Sequence, residues 1–149
     1  VGFGEYLRSE IERLGGDPGS REALQEFGQL RVESDPTSFC WDVLNTGGFV
    51  PGEDFVVDGI RHLKIFDVLA SISAPSQAKL IYLKASKTTR LSRISTRDDV
   101  HDFSRASTHQ VEAELCDELP LRADAIVDAQ QPVEKVISDC IELALRWKS

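Results

Sequence analysis

The stretch Phe55-Val56-Val57-Asp58-Gly59-Ile60-Arg61-His62 constrains the fold more than any other. Its apolar run, Phe55 to Val57, has the length and β-branched content of a short buried strand, and it stops at Asp58-Gly59. An acid therefore sits at a strand's carboxyl end. Gly59 lets the backbone turn there and approach a ligand closely, and Arg61 follows on the same connection. In open α/β sheets that edge is where ligands bind. A carboxylate there suits hydrated magnesium, and the planar fork of an arginine suits a phosphate. The same Asp-Gly is also compatible with an ordinary turn after a strand.

On either side of this stretch the chain alternates helical and strand patterns. Leu7, Ile11 and Leu14 recur at helical steps within Gly4 to Leu14, and Gly15-Gly16-Asp17-Pro18-Gly19 closes that helix. Ser20 caps a second helix with an inward stripe of Leu24, Phe27, Gly28 and Leu30. Asp35-Pro36 opens a third, burying Phe39, Cys40, Val43 and Leu44 before Gly47-Gly48 stops it. His62 to Ile72 carries Leu63, Phe66, Val68, Leu69 and Ile72 at helical spacing. Lys79 to Leu83 and Ala125 to Val127 read as further strands, with polar helices at Lys87 to Ile94 and Asp102 to Leu119 between them. Pro132 opens a last helix with Val136, Ile137, Cys140, Ile141, Leu143 and Leu145 inward. Strands alternating with helices predict an α/β fold around a parallel sheet.

Charge and composition narrow the function. The 149 residues fit one domain, and the net charge of -8 argues against general nucleic-acid binding, which needs clustered Lys and Arg to displace counterions. Cys40, Cys116 and Cys140 stand far apart with no CxxC pair, so neither a zinc site nor a disulfide framework is expected. No apolar run is long enough to span a bilayer and no signal pattern opens the chain, so a cytoplasmic protein is expected. The sequence contains no methionine and opens on Val1-Gly2-Phe3-Gly4, which leads to the expectation that residues lie upstream.

Five arginines matter by position. Arg8 lies near the start of the first helix, Arg61 follows the strand end, and Arg90, Arg93 and Arg97 lie on or beside the polar segment. Arginines converging from separate elements would clamp a phosphorylated substrate and neutralise charge as a phosphoryl group moves. The last three also fit a solvated helix face paired with Asp98 and Asp99. Glu5 could orient a substrate hydroxyl or simply favour the positive end of its helix dipole. His62, His101 and His109 read as surface residues, and Trp41 and Trp147 as packing residues.

In order, these pieces resemble the nucleoside and nucleotide kinase branch of the P-loop kinases, adenylate-kinase-like and dephospho-coenzyme-A-kinase-like proteins in particular. Phe3-Gly4-Glu5-Tyr6-Leu7-Arg8 is similar to the family's Gly-Asp-x-x-Arg segment, with Glu5 in place of the aspartate. Ser20 to Gly28 is similar to the helix that follows it. Val56-Val57-Asp58-Gly59-Ile60-Arg61 resembles the strand ending in Asp-Gly-x-Arg. Arg90-Leu91-Ser92-Arg93 with Arg97 and Asp98 resembles the arginine-bearing lid, here spanning residues 87–119, and Ala123 to Asp128 the last strand near the nucleotide base.

The resemblance implies a three-layer α/β/α parallel sheet of the P-loop NTPase kind, incomplete at the amino terminus. It implies ATP and magnesium as cofactors and a nucleoside, nucleotide or similar small phosphate acceptor as partner. Asp58 would hold magnesium through water, and Arg8 and Arg61, beside Gly59, would grip the acceptor phosphate. Glu5 would position the acceptor, while Arg90, Arg93 and Arg97 would close over the transferring group. GxxxxGK[ST], the loop that holds the ATP phosphates, occurs nowhere in the chain. In the family that loop precedes the segment with which this sequence opens, and the strand before it lies between those matched by Phe55 to Val57 and Lys79 to Leu83. The expectation follows that the 149 residues are unstable or aggregation-prone unless that segment is supplied upstream or by another chain. A rival reading is a degenerate kinase fold without ATP chemistry, acting as a ligand-binding or protein-interaction module of a larger chain or oligomer. A response-regulator-like domain would want several acids at strand ends, and only Asp58 is well placed.

Overall fold

The computed structural model describes residues 1–95 and 118–148 of a mixed α/β chain. Two compact units divide it, Val1–Ala78 and Lys79–Ser149. The first unit holds α1 (Phe3–Arg13), α2 (Arg21–Ser34), α3 (Pro36–Thr46) and α4 (Leu63–Ser73). The second holds β1 (Ile81–Lys84), α5 (Lys87–Ser95), the single turn α6 (Leu119–Arg122), β2 (Ala125–Asp128) and α7 (Val133–Lys148).

In the first unit α2 and α3 start at the capping residues of the sequence. Ser20 Oγ accepts from the Ala23 N–H at 3.2 Å, and Asp35 Oδ1 accepts from the Ser38 N–H at 2.9 Å with Pro36 at the first helical position. Each carboxylate or hydroxyl satisfies an amide that the helix itself leaves without a partner. The core forms where the apolar faces of these helices meet, around Phe3, Tyr6, Val32, Phe39, Cys40, Val43, Leu44, Ile65 and Leu69. Phe39 is its hub, with the Phe3 ring edge-on at 5.0 Å and the Tyr6 ring at 5.9 Å. Burial pushes the Cys40 thiol pKa up to about 12, so this cysteine is a packing residue without thiolate character.

Three expectations for this unit are corrected. Phe55 to Val57 forms no regular strand; the segment is extended and meets the amino terminus through an isolated parallel bridge, Gly2 to Asp58. Leu30 is exposed, and Val32 is the buried residue of α2; two residues along a helix is more than half a turn, so the two lie on opposite faces. His62 is buried, not superficial: it sits at the N-cap of α4, where its carbonyl accepts from the Ile65 and Phe66 amides.

In the second unit β1 and β2 pair in parallel, Ile81 opposite Ala125 and Leu83 opposite Val127. The strand at Lys79 to Leu83 thus begins two residues later and ends one later than its sequence pattern suggests. Asp124 fixes this register from outside the ladder: Oδ2 accepts from the Leu80 N–H and Oδ1 from Lys79 Nζ, both at 2.9 Å. On α7, Val136, Cys140, Leu143 and Trp147 are half-buried, whereas Ile137, Ile141 and Leu145, expected inward, are more than half exposed together with Val133. These four outer residues make an aliphatic row at four-residue spacing.

Burial raises the Asp124 pKa, but the Leu80 amide and Lys79 ammonium outweigh it and hold the carboxyl below its ordinary value of 3.8. A depressed folded-state pKa stabilises the fold above the unfolded pKa and loses that contribution as pH falls through the folded value. Asp124→Asn should therefore be less stable than the parent at pH 6, with the gap closing as pH falls below about 4. Urea titrations at several pH values read this directly; a gap independent of pH would exclude the carboxylate as its source.

Candidate functional site

The Asp-Gly turn and the start of α1 come together in the first unit. The Val1 nitrogen donates to the Val56 carbonyl at 3.1 Å, the Asp58 N–H to the Val1 carbonyl at 3.0 Å, and the Phe3 N–H to the Asp58 carbonyl at 3.1 Å. That is a short parallel ladder between segments 55 residues apart in sequence. It delivers Asp58 to the first turn of α1, next to Gly2 and Gly4.

Glycines make this approach feasible. A Cβ on Gly2 would lie 2.1 Å from Asp58 Oδ1, so the carboxylate rests against bare Cα. A Cβ on Gly47, at the end of α3, would lie 2.7 Å from both Phe55 Cζ and Val1 Cβ, which lets the ladder pack against that helix end. The chain leaves the ladder through Gly59 at φ +78, a left-handed conformation that costs other residues roughly 1–2 kcal/mol. Phe55 packs edge-on against Phe49 at 5.4 Å, and Phe49 against Trp41 at 6.3 Å, so aromatic rings brace the segment from the α3 side.

Around this junction lie four residues singled out in the sequence. Asp58 and Gly59 form the turn, Glu5 is exposed in the first turn of α1, and the Arg8 guanidinium folds back toward Gly4, 3.6 Å from the place of a Cβ there. Arg61 is exposed two residues beyond Gly59 in the same unit. Arg90 and Arg93 belong to α5 in the second unit, where Arg93 donates to the Gln131 carbonyl at 3.5 Å. Arg97 and most of the lid-like segment 87–119 lie outside the described residues.

The junction offers two exposed carboxylates, Asp58 and Glu5, together with helix amides and arginine. Among the described residues no three of His, Cys, Asp and Glu converge as ligands, so no all-protein metal cage exists there. A water-facing Asp58 fits magnesium, which keeps several waters and takes one or two carboxylates together with substrate phosphates. Transition-metal sites built on His and Cys do not fit this donor set.

Sequence reasoning missed a polar cluster under α1. Arg31 donates to Asp42 Oδ2 at 2.7 Å, and the Tyr6 hydroxyl donates to the same oxygen at 3.4 Å. The Arg31 guanidinium also lies over the Phe39 ring, 5.2 Å from its centroid. Burial foremost, then the Asp42 charge, raises the Tyr6 pKa; for Arg31, Asp42 and Tyr6 overcome a burial penalty and raise it as well. The available signal was Asp42 itself, the one charged residue of α3, directly beside the buried Val43.

Substituting Gly59 by Ala should cost about 1–2 kcal/mol through φ alone, since its Cβ would meet neighbours no nearer than 3.7 Å, while Gly59→Asn should cost clearly less. Denaturant midpoints of the two variants test this; equal losses would point to packing in place of backbone strain. No family model, curated protein or solved structure matches this chain.

Proposed function

We propose that the chain is most of a P-loop kinase-like domain of three-layer α/β/α type. The protein containing it would transfer the γ-phosphoryl group of ATP to a nucleoside, nucleotide or similar small acceptor in the cytoplasm. The observation that carries the reading is the ladder between Val1–Phe3 and Val56–Asp58. It joins, as parallel neighbours, the two segments that resemble the family's acceptor-binding and Asp-Gly-x-Arg motifs.

Open strand edges give independent support. Val56 and Asp58 turn their backbone groups to Val1–Phe3, so alternation turns those of Phe55 and Val57 the other way. Leu80 and Lys84 accept from Ala125 and Ala129, so Ile81 and Leu83 present theirs away from β2. Among the described residues no strand pairs with either edge. Each edge, taken within its own unit, is open to a further parallel strand of the kind that the resemblance expects to lead into the phosphate loop.

In this reading Arg8 and Arg61 hold the acceptor phosphate, and Glu5 orients the attacking hydroxyl or phosphate oxygen. Asp58 orients water around magnesium, which neutralises phosphate charge when bound. Arg90, Arg93 and Arg97 offset the charge on the moving phosphoryl group. The bond between the γ-phosphorus and the ADP oxygen breaks as the bond to the acceptor oxygen forms, and an acceptor hydroxyl yields its proton to solvent.

A second reading keeps the fold without the chemistry, as a ligand-binding or protein-interaction module. The exposed row Val133, Ile137, Ile141, Leu145 favours it. Magnesium-dependent ATP binding by calorimetry separates the two. The longest protein containing this sequence should bind and the 149 residues alone should not; binding by neither assigns the module. In an active protein, Arg61→Ala should raise the acceptor KM by roughly tenfold or more, the scale of one lost charge-assisted bond. An unchanged KM removes Arg61 from the site.

A further inference from the structure

We propose that Asp42 is a positioning residue for the phosphate-gripping end of α1, acting through Tyr6 to fix the roll of the helix that carries Glu5 and Arg8. The inference rests on the reading of Arg8 as a ligand of the acceptor phosphate.

Three helices meet at Asp42 Oδ2: it belongs to α3, Arg31 reaches it from α2 at 2.7 Å, and Tyr6 from α1 at 3.4 Å. The Arg31 and Asp42 side chains are 21% and 42% exposed, a setting in which an ion pair adds little to stability. Its content is geometric. A helix resting on neighbours is free to roll unless held at two points around its axis. One point for α1 is Leu7, whose Cδ1 lies against Gly28 of α2, 3.2 Å from the place of a Cβ there. The other is Tyr6, buried against Phe39 and tied by its hydroxyl to Asp42. Without Asp42 the hydroxyl loses its acceptor and Arg31 its counter-charge; the ladder still holds the first residue of α1, but at the level of Tyr6 and Arg8 only the Leu7 contact and ring packing are left to resist rolling. Arg8 lies two residues beyond Tyr6, so any roll is carried straight to its guanidinium. The first turn also carries Phe3, whose amide holds Asp58, so the same roll loads the junction.

The test uses the full protein containing this sequence with Asp42→Ala, Asp42→Glu and Tyr6→Phe. Asp35→Ala, which removes the α3 N-cap, serves as a control for plain destabilisation of about 1 kcal/mol. Two readouts are taken: steady-state constants for acceptor and ATP, and the response of the Arg8 side-chain NMR signal to inorganic phosphate. Asp42→Ala and Tyr6→Phe should raise the acceptor KM and weaken phosphate binding at Arg8 about tenfold, the scale of a sub-ångström misplacement. The KM for ATP should stay within about twofold, and Asp42→Glu should recover part of the loss. Equal losses in Asp35→Ala, or an unchanged acceptor KM in an active Asp42→Ala protein, overturn the positioning role and leave the kinase reading intact. An inactive parent whose Arg8 signal still responds to phosphate, more weakly in Asp42→Ala, overturns the kinase reading and supports the positioning role. No response of Arg8 in the parent overturns the proposal.

Discussion

Three backbone hydrogen bonds, joining Val1–Phe3 to Val56–Asp58, are the constraint on which the first unit depends. They tie the beginning of α1 to the chain leaving α3, and so close a loop of helices around Phe39. Everything near them is adapted to closeness: Gly2 under the Asp58 carboxylate, Gly47 under Phe55 and Val1, and Gly59 where the backbone must turn left-handed. The polar residues of interest are thereby fixed by main-chain geometry, which is stiffer than any side-chain contact on an exposed surface.

The aromatic hub and the ladder support each other. Phe3 donates its amide to Asp58 while its ring meets Phe39, so a single residue couples the junction to the core. Residues at the junction are mostly exposed, and stability comes from the buried residues beneath.

Much of this was legible in sequence because local chemistry decides it. Ser20 and Asp35-Pro36 set helix starts through their own side chains, and the apolar face of α3 follows from Phe39, Cys40, Val43 and Leu44 alone. The Asp58-Gly59 turn was legible for the same reason. What failed depends on partners. Periodicity grouped Ile137, Ile141 and Leu145 on one helix face, but a face is buried only if something lies against it. The Phe55 to Val57 strand failed because, among the described residues, the segment meets only Val1–Phe3, and that partner turns into α1 at Phe3 before a regular ladder can extend. His62 looked superficial since its burial is set by the turn after Gly59 and not by its own neighbours. The Arg31–Asp42–Tyr6 cluster spans three helices, so the one local signal, Asp42 beside buried Val43, does not announce its partners.

The outer row of α7 has a directional consequence. Residues four apart on a helix form a ridge inclined to its axis, so Val133, Ile137, Ile141 and Leu145 run obliquely around α7 and not straight along it. A helix laid against that ridge with its own four-residue ridge crosses at about −50°, and with a three-residue ridge at about +20°. The row thus sets the angle of approach as well as the stickiness of the face: an apolar helix arriving at right angles would touch one or two of the four side chains and leave the others wet.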